Sequence, residues 1–268
     1  MKLTIEPKGD IKTVAGWLTE LEEIRKARAD RLFFRGLSDG KHKLVPSVGR
    51  NQEYGDGRVP HFTYEQEKKL LRRFRRFAYA QLGRLPDEWE ALFMARHHGL
   101  PTRLMDWSVS PLVALYFACS SNAKRGGRIW AFPRCKNDQP LDASAGALEG
   151  KQPALVEYHG LKPTQYDKVL TVYPVWNAPR IIAQGGLFTW HSNPCVPLDK
   201  YRNVELKENN LSPKTLFSWK VPWTKKADCL RFLEMCDVNR KSLYPDLDGL
   251  AAGLWQTEVL FHGSEQRK

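Results

Sequence analysis

The sequence predicts an α+β fold, one domain in which a mixed or antiparallel sheet is flanked by helices. Three observations lead there. Segments with apolar residues at helical spacing alternate with short runs rich in β-branched and aromatic residues, but without the regular strand-helix-strand units that build a doubly wound parallel sheet. The 268 residues are 42% hydrophobic, with 9 Trp, 9 Tyr and 12 Phe, which supplies a sizeable core and argues against disorder. No internal repeat or low-complexity tract divides the chain, so residues 1–268 are read as a single domain.

Over residues 10–29, Val14, Trp17, Leu18, Leu21 and Ile24 recur at helical spacing behind Asp10 as N-cap, which gives an amphipathic helix. Leu32-Phe33-Phe34-Arg35-Gly36 reads as a short buried strand before the turn Leu37-Ser38-Asp39-Gly40, and residues 43–50 as a second extended piece. Residues 64–82 form a helix with Leu70, Leu71, Phe74, Phe77 and Ala78 inward and Lys68, Lys69, Arg72, Arg73, Arg75 and Arg76 on the other face. Pro86 opens a third helix with Asp87, Glu88 and Glu90 in its first turn, where negative charge suits the dipole; it is expected to stop at Gly99. Ser110-Pro111 starts an almost wholly apolar helix through Cys119, which must be buried. Residues 127–133 read as a central strand and 136–152 as a polar loop. Further strands are read at 168–173, 180–184, 187–191 and 215–221. A helix at about 225–236 and a short one after Leu250 precede a closing strand at 255–261, which carries Glu258.

The formal net charge of +12 favours an anionic partner by long-range attraction. The basic face of the second helix has two readings, a solvated charged face or a contact with a nucleic-acid backbone through Lys69, Arg72, Arg73 and Arg76. No apolar run approaches the roughly 18 residues a membrane helix needs, and residues 1–6 have no apolar signal-peptide core, so the expected compartment is cytoplasmic, with no membrane partner. The 5 cysteines are scattered without a C-x-x-C pair, which suggests buried free thiols rather than a disulfide framework or a zinc site. The carboxylates form no two-metal cluster, so no metal is expected.

The stretch from Arg96 to Pro111 concentrates polar chemistry in what reads as a turn between two helices. A purely structural loop rarely carries so many polar groups, each of which needs a partner when buried. The functional candidates there are His98, Thr102, Arg103 and Asp106, facing Arg35, whose rigid guanidinium at the end of a buried strand suits a phosphate or carboxylate. The structural alternative pairs Arg103 with Asp106, puts Trp107 in the core and lets His98 cap the third helix.

Three stretches resemble the FRG-domain family of bacterial and phage proteins: Phe33-Phe34-Arg35-Gly36 with Val45-Pro46-Ser47 after it; His97-His98-Gly99-Leu100-Pro101-Thr102-Arg103-Leu104-Met105-Asp106-Trp107 with the Ser110-to-Ala118 helix; and Arg180 to Thr189. Tyr244-Pro245-Asp246-Leu247-Asp248-Gly249-Leu250 is similar to that family's usual ending, so the resemblance covers about residues 12–252. His97 departs from the pattern, which more often has Gln there, and is the weaker of the two histidines. The resemblance implies a toxin or antiviral-defence effector and assigns no reaction.

The reading with most chemical content is ADP-ribosyl transfer from NAD as substrate. Such enzymes have a split, partly open sheet, an arginine or histidine ending the first strand, a Ser/Thr-containing strand before a buried helix, and a late glutamate or glutamine. Arg35, then Thr102 or Ser108, then Gln184 or Glu258, fall in that order. Cleaving the nicotinamide bond builds oxocarbenium-like charge on the ribose, which a carboxylate or amide on the ribose hydroxyls stabilises while arginines hold the pyrophosphate. Arg35 and Arg103 are the expected clamps, and Trp107 or Phe188 the stacking face. Gln256-Thr257-Glu258 resembles the closing Gln/Glu-x-Glu element of some transferases. Two other classes stay open: metal-independent RNA cleavage with His98 as acid or base, and a nucleic-acid-binding module without turnover.

Overall fold

A computed structural model of the chain describes residues 3–28, 31–54, 56–121, 124–134, 141–142, 153–174, 179–201, 203–205 and 215–261. The strands are β1 (Thr4–Asp10), β2 (Arg31–Leu37), β3 (Gln52–Tyr54), β4 (Gly57–Val59), β5 (Leu104–Ser108), β6 (Gly127–Arg134), β7 (Leu141–Asp142), β8 (Lys168–Tyr173), β9 (Gly186–His191), β10 (Asn203–Glu205) and β11 (Thr215–Val221). The helices are α1 (Val14–Arg28), α2 (Tyr64–Leu82), α3 (Glu88–His97), α4 (Pro111–Cys119), α5 (Pro179–Ala183), α6 (Lys226–Met235), α7 (Arg240–Leu243) and α8 (Leu247–Phe261). The fold is α+β. One mixed sheet has the order β1-β11-β6-β2-β5-β9-β8-β10, with β7 also on β8, while β3 and β4 form a separate hairpin.

The sheet is split near its middle. β2 pairs with β6 over seven residues, from Arg31↔Arg134 to Leu37↔Arg128, but meets β5 at the single pair Phe34↔Ser108. β5 in turn pairs with β9 along its whole length. Beyond Phe34 the two halves therefore diverge, and the gap is the feature on which the candidate site is built.

Side chains alternate across a strand, so Leu32, Phe34 and Gly36 share one face of β2, and Phe33 and Arg35 start from the other. Leu32 and Phe34 join Trp17, Leu21, Leu115, Trp219 and Leu233 in a core under α1, α4 and α6. Phe33 joins Trp107, Trp130, Phe132, Val196 and Tyr201 on the opposite face. A third core, centred on Leu92, Leu104, Phe188 and Trp190, holds α2 and α3 against β5, β8 and β9.

Gly36 has a packing cause. A Cβ there would lie 1.8 Å from the Ala114 carbonyl oxygen and 2.7 Å from the Ala118 amide nitrogen, so α4 rests with its backbone directly on β2. Gly127 does the same on β6, where a Cβ would lie 2.4 Å from the Ala118 carbonyl oxygen. The helix start is as read: the Ser110 hydroxyl accepts from the Val113 amide, with Pro111 in the first turn.

Several expectations are corrected. Asp10 ends β1, a strand not read from the sequence, and the Thr13 hydroxyl instead accepts from the Gly16 amide at the start of α1. Residues 43–50 form no strand but a single 3-10 turn, Ser47–Gly49. The presumed turn after Gly99 is largely β5, an interior strand. Residues 180–184 fall mostly in helix α5. The closing strand at 255–261 is the second half of α8: Gly253 packs on α7, and Thr257 donates to the Glu234 carboxylate on α6. The polar loop read at 136–152, Leu141–Asp142 apart, lies outside the described residues, as does Cys135; Cys119, Cys195 and Cys229 are buried free thiols, whereas Cys236 is exposed.

The helix-on-glycine contact predicts that Gly36→Ala costs about 3 kcal/mol, the overpacking penalty when backbone must move, or roughly 6–12 °C in Tm for a chain of this size. Thermal and urea unfolding by circular dichroism measure it; an unchanged Tm would mean that α4 does not sit on β2 as described.

Candidate functional site

The residues that meet in the gap come from three places in the sequence. Arg35 leaves β2 and crosses to β5, where its Nη1 donates to the Asp106 carbonyl at 2.5 Å and approaches the Asp106 Oδ2 at 3.4 Å. Arg96, in the last turn of α3, takes the same carboxylate with both ends of its fork: Nε donates to Oδ1 at 2.9 Å and Nη2 to Oδ2. Its Nη1 donates to the Ser47 hydroxyl at 3.2 Å, and that hydroxyl also accepts from the Thr102 amide. One carboxylate thus ties α3, β2, β5 and the Ser47 turn together. The Arg35 Nε is buried without an acceptor among the described residues.

The electrostatics are lopsided. Burial alone would raise the Asp106 carboxyl, but the Arg96 charge and hydrogen bonds, with the Arg35 charge, outweigh it and hold the group well below the usual carboxylate range. Burial lowers the Arg35 guanidinium to about 10, so it remains protonated at neutral pH. Arg50 stands near the cluster and is also lowered, first by burial and then by Arg96. Asp106 remains partly open, its side chain 42% exposed.

The gap opens into a cleft of about 300 Å³ whose lining includes Arg35, Gly36, Arg96, His97, Asp106, Ser108, Val113, Phe117, Arg180, Gln184 and Phe188. Three arginines and one aspartate in that lining leave an excess of positive charge. Arg180, at the start of α5, lies over the Tyr244 ring at 4.3 Å, and Arg240 over the same ring at 4.5 Å. Gln184 follows α5; its Nε2 donates to the Leu243 carbonyl at 3.0 Å and its own carbonyl accepts from Ser108 Oγ at 2.7 Å. Gly185 adopts φ +52°, which favours glycine, and accepts from the Val109 amide at 3.0 Å. The Tyr244-to-Leu250 ending thereby gains a role: Asp246 caps α8 through the Gly249 amide, and a Cβ on Gly249 would lie 1.9 Å from the Tyr244 carbonyl oxygen. It backs the wall that carries Arg180 and Gln184.

The structure sorts the sequence candidates. Arg35, Asp106, Gln184 and Phe188 line the cleft. Trp107 borders it too, but its indole is buried, lies 4.6 Å from Phe132 and donates to Thr189 Oγ1, so it presents no open stacking face. Thr102 is buried beneath the Ser47 turn, outside the lining. Arg103 is fully buried and pairs with Glu67, donating also to the Ser192 and Val156 carbonyls; it faces neither Arg35 nor Asp106. His98 is exposed just past the end of α3, and His97, the histidine given less weight, lines the cleft instead. Glu258 is exposed on α8, outside the lining.

Arg96 and Arg180 line the cleft without having been singled out from the sequence, and His97 lines it although the sequence favours His98. A signal existed for Arg96: with Trp89, Leu92 and Phe93 it falls at i, i+3, i+4 and i+7 of α3, so an arginine occupies the helix's buried stripe. His97 is pushed below the usual imidazole range by burial, then by His98 and Arg180, and is neutral at pH 7. Deeper in the sheet His191 is lowered to about 3 by burial, Arg35 and Arg103, and its Nε2 meets Thr189 Oγ1 at 3.0 Å.

Residues 30–126 match the family model described as FRG domain. The match spans the Arg35 and Asp106 stretches and stops short of Arg180, Gln184 and Tyr244. No curated protein and no solved structure matches the chain.

Two predictions follow from the charges. Because Asp106 has a depressed folded-state pKa, its stabilisation is complete above the unfolded carboxyl value of about 3.9 and is lost as pH falls further. Asp106→Asn should therefore lower stability at neutral pH and flatten the loss of stability below about pH 4, read from urea unfolding at several pH values. Glu67→Gln strands a buried guanidinium and should cost about 3–5 kcal/mol; a loss within error of zero would mean that the Arg103 pair does not hold α2 to the sheet.

Proposed function

The chain carries an FRG domain at residues 30–126, and from that premise we propose that it is an NAD-using, ADP-ribosyltransferase-like enzyme acting on a macromolecular acceptor. The observation that carries this reading is the convergence of Arg35, Asp106 and Gln184, distant in sequence, on one cleft with excess positive charge at the split of the sheet.

On this reading Arg180, free of a carboxylate partner among the described residues, and the guanidinium of Arg35 where it lines the cleft are the positive charges that hold phosphate or ribose oxygens. The cleft's volume of about 300 Å³ suits the nicotinamide riboside end with its adjoining phosphate, the remainder of NAD lying across the mouth. As the bond from the ribose C1′ to the nicotinamide nitrogen breaks, nicotinamide leaves with the electron pair and positive charge grows on the ribose. The Gln184 Oε1 accepts from a ribose hydroxyl, which disperses that charge, while Asp106, held ionised by Arg96 and Arg35, fixes the two guanidiniums in place. A depressed pKa makes Asp106 a poor proton carrier. Neutral His97 takes the proton from the attacking acceptor, which forms the new bond to C1′. Consumption of NAD or modification of a macromolecule fits a toxin or antiviral-defence effector. Metal-independent RNA cleavage through His98 has less support, because that side chain is exposed outside the cleft lining.

The test is incubation with labelled NAD, alone and with total cell protein or RNA, following nicotinamide release and label transfer. Release or transfer is expected, lost in Arg35→Ala and reduced about 100-fold or more in kcat by Gln184→Ala, the scale for one transition-state hydrogen bond. The rate should fall at acidic pH as His97 becomes protonated, with its midpoint below the ordinary imidazole value of about 6.5. Absence of nicotinamide release, label transfer and NAD binding under all acceptor conditions overturns the reading.

A further inference from the structure

The outer face of α2 carries an arrangement that the cleft does not use. Lys69, Arg72, Arg73 and Arg76 stand at i, i+3, i+4 and i+7, so they form one ridge over two turns of the helix, opposite the side that buries Glu67 and Leu71. All four are exposed, and none meets a carboxylate among the described residues. The neighbouring cations are already engaged: Lys68 pairs with Glu65 at 3.5 Å and the Arg75 Nε donates to the Pro86 carbonyl at 3.0 Å. Helical geometry places Phe77 along one flank of the ridge and Tyr79 along the other, and both rings are largely exposed, at 68% and 55%.

A solvated charged face does not account for this pattern. Four unpaired cations aligned at i,i+3/i+4 spacing repel one another, at a cost to the helix of a few tenths of a kcal/mol per pair, and two exposed aromatic rings beside them add apolar surface to water. α2 is nevertheless a well-finished helix, with a Thr63–Gln66 capping box at its start and Gly83 left-handed at its end. The helix backbone that carries the ridge is therefore fixed at both ends. An anionic backbone laid along it would replace the repulsion with attraction, and unpaired bases have faces that stack on flanking rings.

We propose that the outer face of α2 is a docking surface for single-stranded nucleic acid, with Lys69, Arg72, Arg73 and Arg76 on the phosphates and Phe77 and Tyr79 on the bases. Charge complementarity selects a polyanion, and the flanking rings select a strand with exposed bases over a duplex, an acidic protein or a lipid headgroup. The surface is separate from the cleft lining, so this proposal stands or falls independently of NAD chemistry.

Fluorescence anisotropy with labelled single-stranded and duplex oligonucleotides of mixed sequence, without NAD, reads the proposal directly. Four phosphate contacts predict a log–log salt dependence of affinity with slope about −3 for a single strand. Replacing Lys69, Arg72, Arg73 and Arg76 together by Gln, a good helix former, should remove most of that slope and weaken binding at least 10-fold. The pair Phe77→Ala and Tyr79→Ala should erase the preference for single strand while leaving most of the salt slope. The Gln variant is compared at matched thermal stability, and Arg73→Glu alone should weaken binding with the helix content unchanged. Binding that is absent, equal in the Gln variant, or stronger for duplex than for single strand overturns the proposal.

Discussion

The Asp106 carboxylate is the interaction on which the described architecture turns. A continuous sheet needs no side chain to join neighbouring strands, because backbone hydrogen bonds do it. Here β2 and β5 share one residue pair, and beyond it the join is made by Arg35, whose guanidinium takes the Asp106 carbonyl that a neighbouring strand would otherwise satisfy. Arg96 closes the same carboxylate from α3. A partly buried carboxylate with two arginines leaves net positive charge at the bottom of a gap, and an opening lined that way attracts anions. Structural clamp and ligand-attracting feature are one cluster.

The tripeptide Phe34-Arg35-Gly36 follows from the same geometry. Phe34 fills the core under α1 and α4, Arg35 bridges the split, and Gly36 lets the α4 backbone rest on the strand. Three residue types meet three separate demands at adjacent positions, and none substitutes for another. The Tyr244-to-Leu250 ending acts from further away, holding α7 and α8 behind the wall that presents Arg180 and Gln184.

Much of the fold was legible in the sequence where periodicity or capping chemistry was strong. The apolar α4, the capped α3 and the strands β6, β8, β9 and β11 stand where apolar pattern and turn residues put them. The errors share a cause. In residues 101–108 polar and apolar positions do not alternate simply, because Arg103, just before β5, and Asp106, within it, carry charges that are paired within the protein, so an interior strand looks like a loop. Residues 255–261 look like a strand because their apolar side chains, Trp255 and Val259 among them, remain exposed on α8 instead of defining one buried stripe. In the candidate site, Arg35, Asp106 and Gln184 were named from motif context and do meet. Arg103 faces away from the cleft because the guanidinium at the entry to β5 turns to Glu67, a partner 36 residues away that sequence order does not reveal. Arg96 was overlooked although an arginine on an apolar helical stripe is a readable anomaly.

The central claim is that the split between β2 and β5 is a ligand cleft and not merely a packing irregularity. A crystal structure of the protein grown with saturating ADP-ribose tests it most directly. The account predicts ligand density in the cleft, with ribose or phosphate oxygens in hydrogen-bond reach of Arg180 and Gln184, beside Arg35, and the Asp106 clamp intact. Ligand bound away from the gap, or a cleft filled by closure of α5 onto α4 with no ligand density, would contradict it.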